Sequence, residues 1–330
     1  MSVIDKAAIA WSIAVVASAV GIAFLSQDNP SPQVSFIPPI LEKPEIFFTL
    51  QGENAIGNLN GEKFDAGPNM TYISISPDSN LIVASSSASD TVFAYDENGN
   101  KITSIHVGQT PKGVKINPEG TLVFVANENS GSISVVETRS FALVKEIPVG
   151  KIPHNIVFSH DGNTAFVTIQ GEDSVEVIDV NSLKIIDFIQ VEKMPHNLDI
   201  TPDGRYLFTT NIGTSDVAVI DIEDKKVIKK IPVSTGHHGI DVSPDGSHVY
   251  VSGIGSNLVN VIDLDSMQLV KTIPVGEGPH GLRVSQDGSL LYVGVTKTNE
   301  IAVINTASLQ IQKMIPVGEI PFWIALPNNP

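Results

Sequence analysis

From residue 46 onward the chain alternates short apolar runs with polar turns, and the runs come in groups of four. One group reads NIVFS, TAFVTIQ, SVEVID and KIIDFIQV, between residues 155 and 191. Runs of this length, rich in Val, Ile and Phe and bounded by turn residues, predict β-strands. Their alternation is imperfect, as in Val175, Val177 and Asp179 against Glu176 and Ile178. That is the pattern of strands covered on both faces. Asp161-Gly162, Asp203-Gly204, Asp245-Gly246 and Asp287-Gly288 supply tight hairpin turns, with glycine taking the positive φ.

The groups recur with a fixed period. Ile-Pro-Val-Gly and its variants begin at Ile105, Ile147, Ile189, Ile231, Ile273 and Ile315, every interval being 42. The turn marker places Pro77, Pro118, His160, Pro202, Pro244 and Gln286 in one slot, at intervals of 41 and then 42 throughout. Four strands per unit of this length define a β-propeller blade. Residues 45–330 number 286, which gives seven blades. The last begins at Pro321 and has only one strand, while residues 46–67 match the interior of the third repeat. The expected fold is therefore all-β: a seven-bladed propeller of four-stranded blades, its ring closed by the C-terminal strand joining three N-terminal ones.

Around the turns the framework reads P-H-G-I-x-V-S-P-D-G, then V-x-V-I-D and I-P-V-G. Before it stand Val123-Phe124-Val125-Ala126, Ala165-Phe166-Val167-Thr168, Leu207-Phe208-Thr209-Thr210, Val249-Tyr250-Val251-Ser252 and Leu291-Tyr292-Val293-Gly294. Over residues 46–330 this resembles the YVTN family of surface-layer-type propellers. The resemblance implies cell-surface adhesion or scaffolding, and relatives of that family include metal- and haem-handling oxidoreductases. WD repeats, the sialidase Asp box and the one-tryptophan-per-blade pattern of quinone-cofactor propellers do not fit, since the two tryptophans are Trp11 and Trp323.

Ahead of the repeats, residues 7–25 run without a charge. A helix of that length spans roughly 28 Å, enough for a bilayer core. Residues 1–25 are expected to be an N-terminal transmembrane anchor, the alternative being a signal peptide cleaved near Ala17-Ser18-Ala19. Either places the remainder outside the cytoplasm, beyond a Pro-rich linker at 26–44 that carries five prolines. The propeller is expected over 45–330.

Composition narrows the chemistry. With 20 Lys+Arg against 36 Asp+Glu, the formal charge of −16 argues against nucleic acid as a partner. No cysteine means no disulfide, thiolate zinc site, iron–sulfur cluster or c-type haem attachment. The basic run Lys225-Lys226 and Lys229-Lys230 falls on an outermost strand, where lysine discourages edge-to-edge pairing.

One slot carries candidate chemistry. Six residues before the turn marker the blades hold Thr71, Lys112, His154, His196, His238, His280 and Phe322. This position opens the innermost strand, so four imidazoles from consecutive blades face one channel mouth, with His237 nearby. Imidazole is the commonest ligand of copper and zinc. Nitrous oxide reductase, a related propeller, is similar in binding copper through histidines at its channel mouth, but blades one, two and seven here offer Thr71, Lys112 and Phe322. The competing reading makes Pro-His-Gly part of the repeat's own packing code. Three residues on, a second slot holds Ser74, Lys115, Val157, Asp199, Asp241, Arg283 and Ala325. Asp241 is expected to pair with Arg283 of the adjacent blade. The alternative sets Asp199 and Asp241 behind the imidazoles as orienting partners; the odd spacing puts His238 and Asp241 on opposite faces of a regular strand.

No complete catalytic constellation emerges. The reading is a membrane-anchored, extracytoplasmic propeller acting as a binding or scaffold module for a protein or glycan at the cell surface. The alternative is a copper or zinc protein, or redox enzyme, using His154, His196, His238, His280 and His237.

Overall fold

The computed structural model describes residues 46–327; the expected anchor and linker lie outside the described residues. Twenty-eight strands, β1 to β28, form seven four-stranded antiparallel sheets. Each of six blades uses four consecutive strands. Their innermost strands are β4 (Met70–Ile75), β8 (Pro111–Ile116), β12 (Pro153–Phe158), β16 (Pro195–Ile200), β20 (His237–Val242) and β24 (Pro279–Val284), and these open blades 1 to 6. Blade 7 runs in the order β28-β1-β2-β3, joining β28 (Pro321–Ala325) to β1 (Phe47–Leu50), β2 (Ala55–Asn58) and β3 (Lys63–Asp65). The three-plus-one closure expected from the repeat count is therefore present. Neighbouring innermost strands touch in a complete circuit, β28 meeting both β24 and β4.

Burial follows from this layering. The innermost strands are covered throughout in β12, β16 and β24, whereas the outermost strands are mostly exposed. Between blades lie the apolar clusters, such as Phe124 against Phe158 at 5.1 Å between blades 2 and 3. The Asp-Gly turns behave as expected. Gly162, Gly204, Gly246 and Gly288 have φ between 69° and 74°, and Asp245 Oδ1 accepts from Ser243 Oγ (2.6 Å) and the Ser247 amide (3.0 Å). Such bonds hold these turn carboxyls below the usual range.

A feature absent from the sequence pattern decides what meets at the axis. Every innermost strand carries a register shift at the histidine slot, for example between His237↔Gly253 and Ile240↔Val251. Equivalent shifts occur in all seven blades. Two residues there oppose one on the partner strand, which is a β-bulge. The bulge resets the alternation, so His238 and Asp241 share the axial side despite their odd spacing. In five blades a hydroxyl on the second strand clamps it. Thr168 Oγ1 takes the Asn155 amide (3.0 Å) and donates to the His196 carbonyl of the next blade (2.8 Å). Ser85, Thr210, Ser252 and Thr49 repeat the arrangement. Thr168, Thr210 and Ser252 are the last residues of the tetrapeptides quoted above.

Candidate functional site

The axis is built as three tiers. At the end where the innermost strands begin, His154, His196, His238 and His280 lie ring against ring, with centroids 3.9, 4.6 and 4.9 Å apart, and His280 continues onto Phe322 at 3.7 Å. Three of the four are buried and His238 is half-buried. His237 occupies the slot that five other blades fill with proline; it is fully buried and lies close enough to His196 and His238 for their charges to interact, without ring contact with the four. Neither of its ring nitrogens has a well-formed hydrogen bond.

Hydrogen bonds fix the tautomers. Tyr72 Oη donates to Asn197 Oδ1 (3.0 Å), so it accepts from His154 Nε2–H (2.9 Å) and leaves His154 Nδ1 as a buried lone pair. Asn197 Nδ2 donates to His196 Nδ1 (2.8 Å). His238 and His280 donate Nδ1–H to the Gly236 and Phe322 carbonyls, each at 3.0 Å, which turns their Nε2 atoms into free acceptors. Burial holds His154, His196 and His280 well below the ordinary imidazole pKa, and their mutual repulsion and the Lys112 ammonium act in the same direction. The tier is therefore neutral at pH 7. Among the described residues no three His, Asp or Glu side chains stand in position to share a metal ion.

The middle tier is a plug. Tyr72 crosses from blade 1 to reach His154 in blade 3 and Asn197 in blade 4, and Trp323 of blade 7 packs on it at 4.4 Å. Gly113 and Gly281 let adjacent blades approach closely beside the plug, since a Cβ at either would come within 2.7 Å of backbone atoms in the next blade.

The third tier is charged. Lys115, Asp199, Asp241 and Arg283 are all at least nine-tenths buried. Arg283 Nη1 bonds Asp241 Oδ1 at 3.1 Å, the cross-blade pair expected from sequence, and the guanidinium lies over Trp323 at 5.1 Å. Asp199 and Asp241 each accept an amide of the following blade, Val242 N at 2.7 Å and Val284 N at 2.6 Å. They staple blades together and do not touch the imidazoles. Burial pushes both carboxyls up, Asp241 to about 7 with help from the neighbouring Asp199 charge. Burial and the Arg283 charge bring Lys115 down to about 7. Beyond this tier, at the Asp-Gly turn end, opens a vestibule of about 230 Å³.

A closed seven-bladed propeller with a bulged, hydroxyl-clamped innermost strand in most blades defines the class. Residues 1–327 match the YNCE-like beta-propeller family, and the chain belongs to it. No curated protein matches. Among solved structures, hydrazine synthase of Kuenenia stuttgartiensis superposes with a TM-score of 0.72 at 22% identity, over 78% of this chain and 89% of that one. A functionally unknown protein from Desulfotomaculum acetoxidans DSM 771 gives 0.74 at 16% identity, covering 85% and 98%. A candidate 6-phosphogluconolactonase of Bacteroides uniformis ATCC 8492 gives 0.71 at 18%, covering 84% and 98%. At these identities the likeness is one of fold.

Proposed function

We propose that the chain is a membrane-anchored, extracytoplasmic binding or scaffold module that meets a protein partner along the outer edge of blade 3. The observation carrying this reading is the outermost strand β15 (Lys184–Gln190). Its Ile186 and Phe188 are 56% and 64% exposed, more than any other large apolar side chain among the described residues. Exposed apolar surface on an unpaired strand edge marks a contact site or an aggregation hazard. The equivalent strand of blade 4, β19 (Lys226–Pro232), carries Lys230 where blade 3 has Phe188. Its lysines are tied sideways, Lys229 to the Ser266 carbonyl at 3.0 Å and Lys230 to Glu192. One edge is thus protected and its neighbour left bare. With a photo-crosslinking residue at position 188 of the full-length protein, intact cells should yield a specific adduct that Ile186→Lys removes and position 230 does not give. No adduct at 188 counts against the reading.

The copper or zinc reading has one observation in its favour. The free Nε2 atoms of His238 and His280 belong to adjacent blades and the rings are 4.9 Å apart. His196 would have to give up its bond from Asn197 to join them, whereas His154 has an unpartnered Nδ1 with its bond to Tyr72 in place. Metal analysis after loading with either ion and desalting, in the parent and in His238→Ala, tests it.

A further inference from the structure

The charged tier is polarised along the axis. Both carboxylates, Asp199 and Asp241, line the vestibule; both cations, Lys115 and Arg283, line instead a cavity of about 10 Å³ on the inner side, which Asp199 also borders. A space of that size takes a single water. Anything entering from the turn end therefore meets carboxylate oxygen before it meets positive charge.

The two carboxylates differ in what they lack. Asp241 is satisfied by Arg283 on one oxygen and the Val284 amide on the other. Asp199 is 6% exposed and accepts from the Val242 amide, yet no cation among the described residues lies within ion-pair distance of it. Lys115, 8% exposed, likewise has no ion-pair partner among them. The Arg283 and Lys115 charges act on Asp199 across the small cavity without touching it, so the carboxylate lacks a direct counter-ion. Around it Val242, Val284 and Leu326 give the vestibule an apolar stretch of wall, beside the polar side chains of His160 and Gln286.

We propose that this vestibule binds a primary ammonium carried on a short alkyl chain, with Asp199 as its counter-ion. Three N–H donors suit a carboxylate oxygen, and the alkyl chain suits the apolar stretch of wall. A divalent metal does not suit the site: it needs six or so oxygen ligands, and one of the two carboxylates is already neutralised. The overall charge of −16 favours arrival of a cation. The ammonium can belong to a free amine or to a lysine side chain of another protein. The rim of blade 3 and this axial pocket use different strands, so loss of either leaves the other intact.

The test is calorimetry on the full-length protein with n-butylammonium, a blocked Gly-Lys-Gly peptide and uncharged n-butanol. Saturable binding of a cationic probe, at least tenfold tighter than n-butanol and weakened at least tenfold by Asp199→Asn, supports the site. Preference for the peptide assigns it to a protein lysine, preference for butylammonium to a free amine. The side-chain amide introduced by Asp199→Asn keeps a carbonyl acceptor for the Val242 amide. Should that variant misfold, Gln286→Trp, which fills the vestibule from its rim with Asp199 intact, must abolish binding. Equal affinity for n-butanol, equal affinity in Asp199→Asn, or no saturation by either cation overturns the proposal.

Discussion

The two ends of the propeller axis come from the same seven-fold duplicated strand and reach opposite outcomes. At one end, four imidazoles close on one another and on Phe322; each has one ring nitrogen engaged and burial keeps them neutral. At the other, two carboxylates and two cations share the interior, but only Asp241 and Arg283 pair. Repetition explains the first: one slot filled alike in four consecutive blades stacks like on like, and neutral rings tolerate that. It cannot explain the second, where Lys115, Asp199, Asp241 and Arg283 break the repeat residue by residue. In a duplicated fold the departures from the repeat carry more functional information than the repeat itself. Pro-His-Gly recurs because the bulge and its packing recur; Asp199 without a partner is a departure.

Both ends depend on the closed ring, so opening it should have the largest effect. Removing residues 319–330 takes away β28, with Trp323, Ile324 and Leu326 all buried. At about 1.5–3 kcal/mol for each large apolar side chain, the loss is comparable to a whole domain's margin of about 5–15 kcal/mol. The truncated chain should show no cooperative urea transition; melting like the parent would refute the closure. Next comes the plug that separates the ends. Tyr72→Ala should cost about 3–5 kcal/mol through its cavity. Tyr72→Phe, which strands His154 Nε2–H while Asn197 Oδ1 keeps its donor Asn155 Nδ2, should cost about 1–3 kcal/mol. Chemical denaturation of the two variants separates volume from hydrogen bonding.

How much of this is legible in the sequence depends on what each feature rests on. Blade count, strand order and ring closure follow from the 42-residue period and the orphan strand at Pro321, because spacing alone sets them. The gathering of His154, His196, His238 and His280 is legible for the same reason. The Asp241–Arg283 bridge is too, being a charge pair in adjacent repeats. Alternation fails at the bulge, which adds one residue and puts His238 and Asp241 on one side. A signal is present: a Thr or Ser closes each of three tetrapeptides, at Thr168, Thr210 and Ser252, where a buried hydroxyl needs partners. His237 reads as a neighbour of the cluster from adjacency in sequence, but adjacency does not reveal whether its ring packs on the other four. Tyr72 gives no signal, since its partners lie 82 and 125 residues away.

The ends should also titrate in opposite directions. Buried histidines have folded pKa values below the unfolded value of 6.5, so their stability is present above 6.5 and is lost as pH falls. Each adds a slope of up to about 1.4 kcal/mol per pH unit. Asp241 is raised from 3.8 to about 7, so its contribution is full below 3.8 and disappears as pH climbs to about 7. Lys115, lowered from 10.5 to about 7, contributes above 10.5 and loses this as pH drops. Between pH 6.5 and 5 several histidines oppose the two raised aspartates, Asp199 and Asp241, and acid should destabilise the fold. Urea midpoints across that range should flatten in His154→Gln/His280→Gln and steepen in Asp241→Asn. A double histidine variant with the parent's slope would mean the imidazoles are not buried neutral.

The smallest effect should come from His238, and it divides packing from metal binding most cleanly. This ring is the half-buried member of the tier, and its side chain bonds only the Gly236 carbonyl two residues away. What the neighbouring blade takes from it is its backbone: Asn197 Nδ2 and Thr210 Oγ1 both donate to the His238 carbonyl, which alanine keeps. His238→Ala should therefore cost no more than about 1 kcal/mol. Copper or zinc offered to the parent should be lost on desalting, because two imidazole nitrogens leave the remaining coordination positions to water. About one retained ion, absent from His238→Ala, would instead mean that a third imidazole joins them, either His154 through its unpartnered Nδ1 or His196 on leaving Asn197. Stability and metal content measured on one pair of proteins thus decide whether the repeated histidine is packing or ligand.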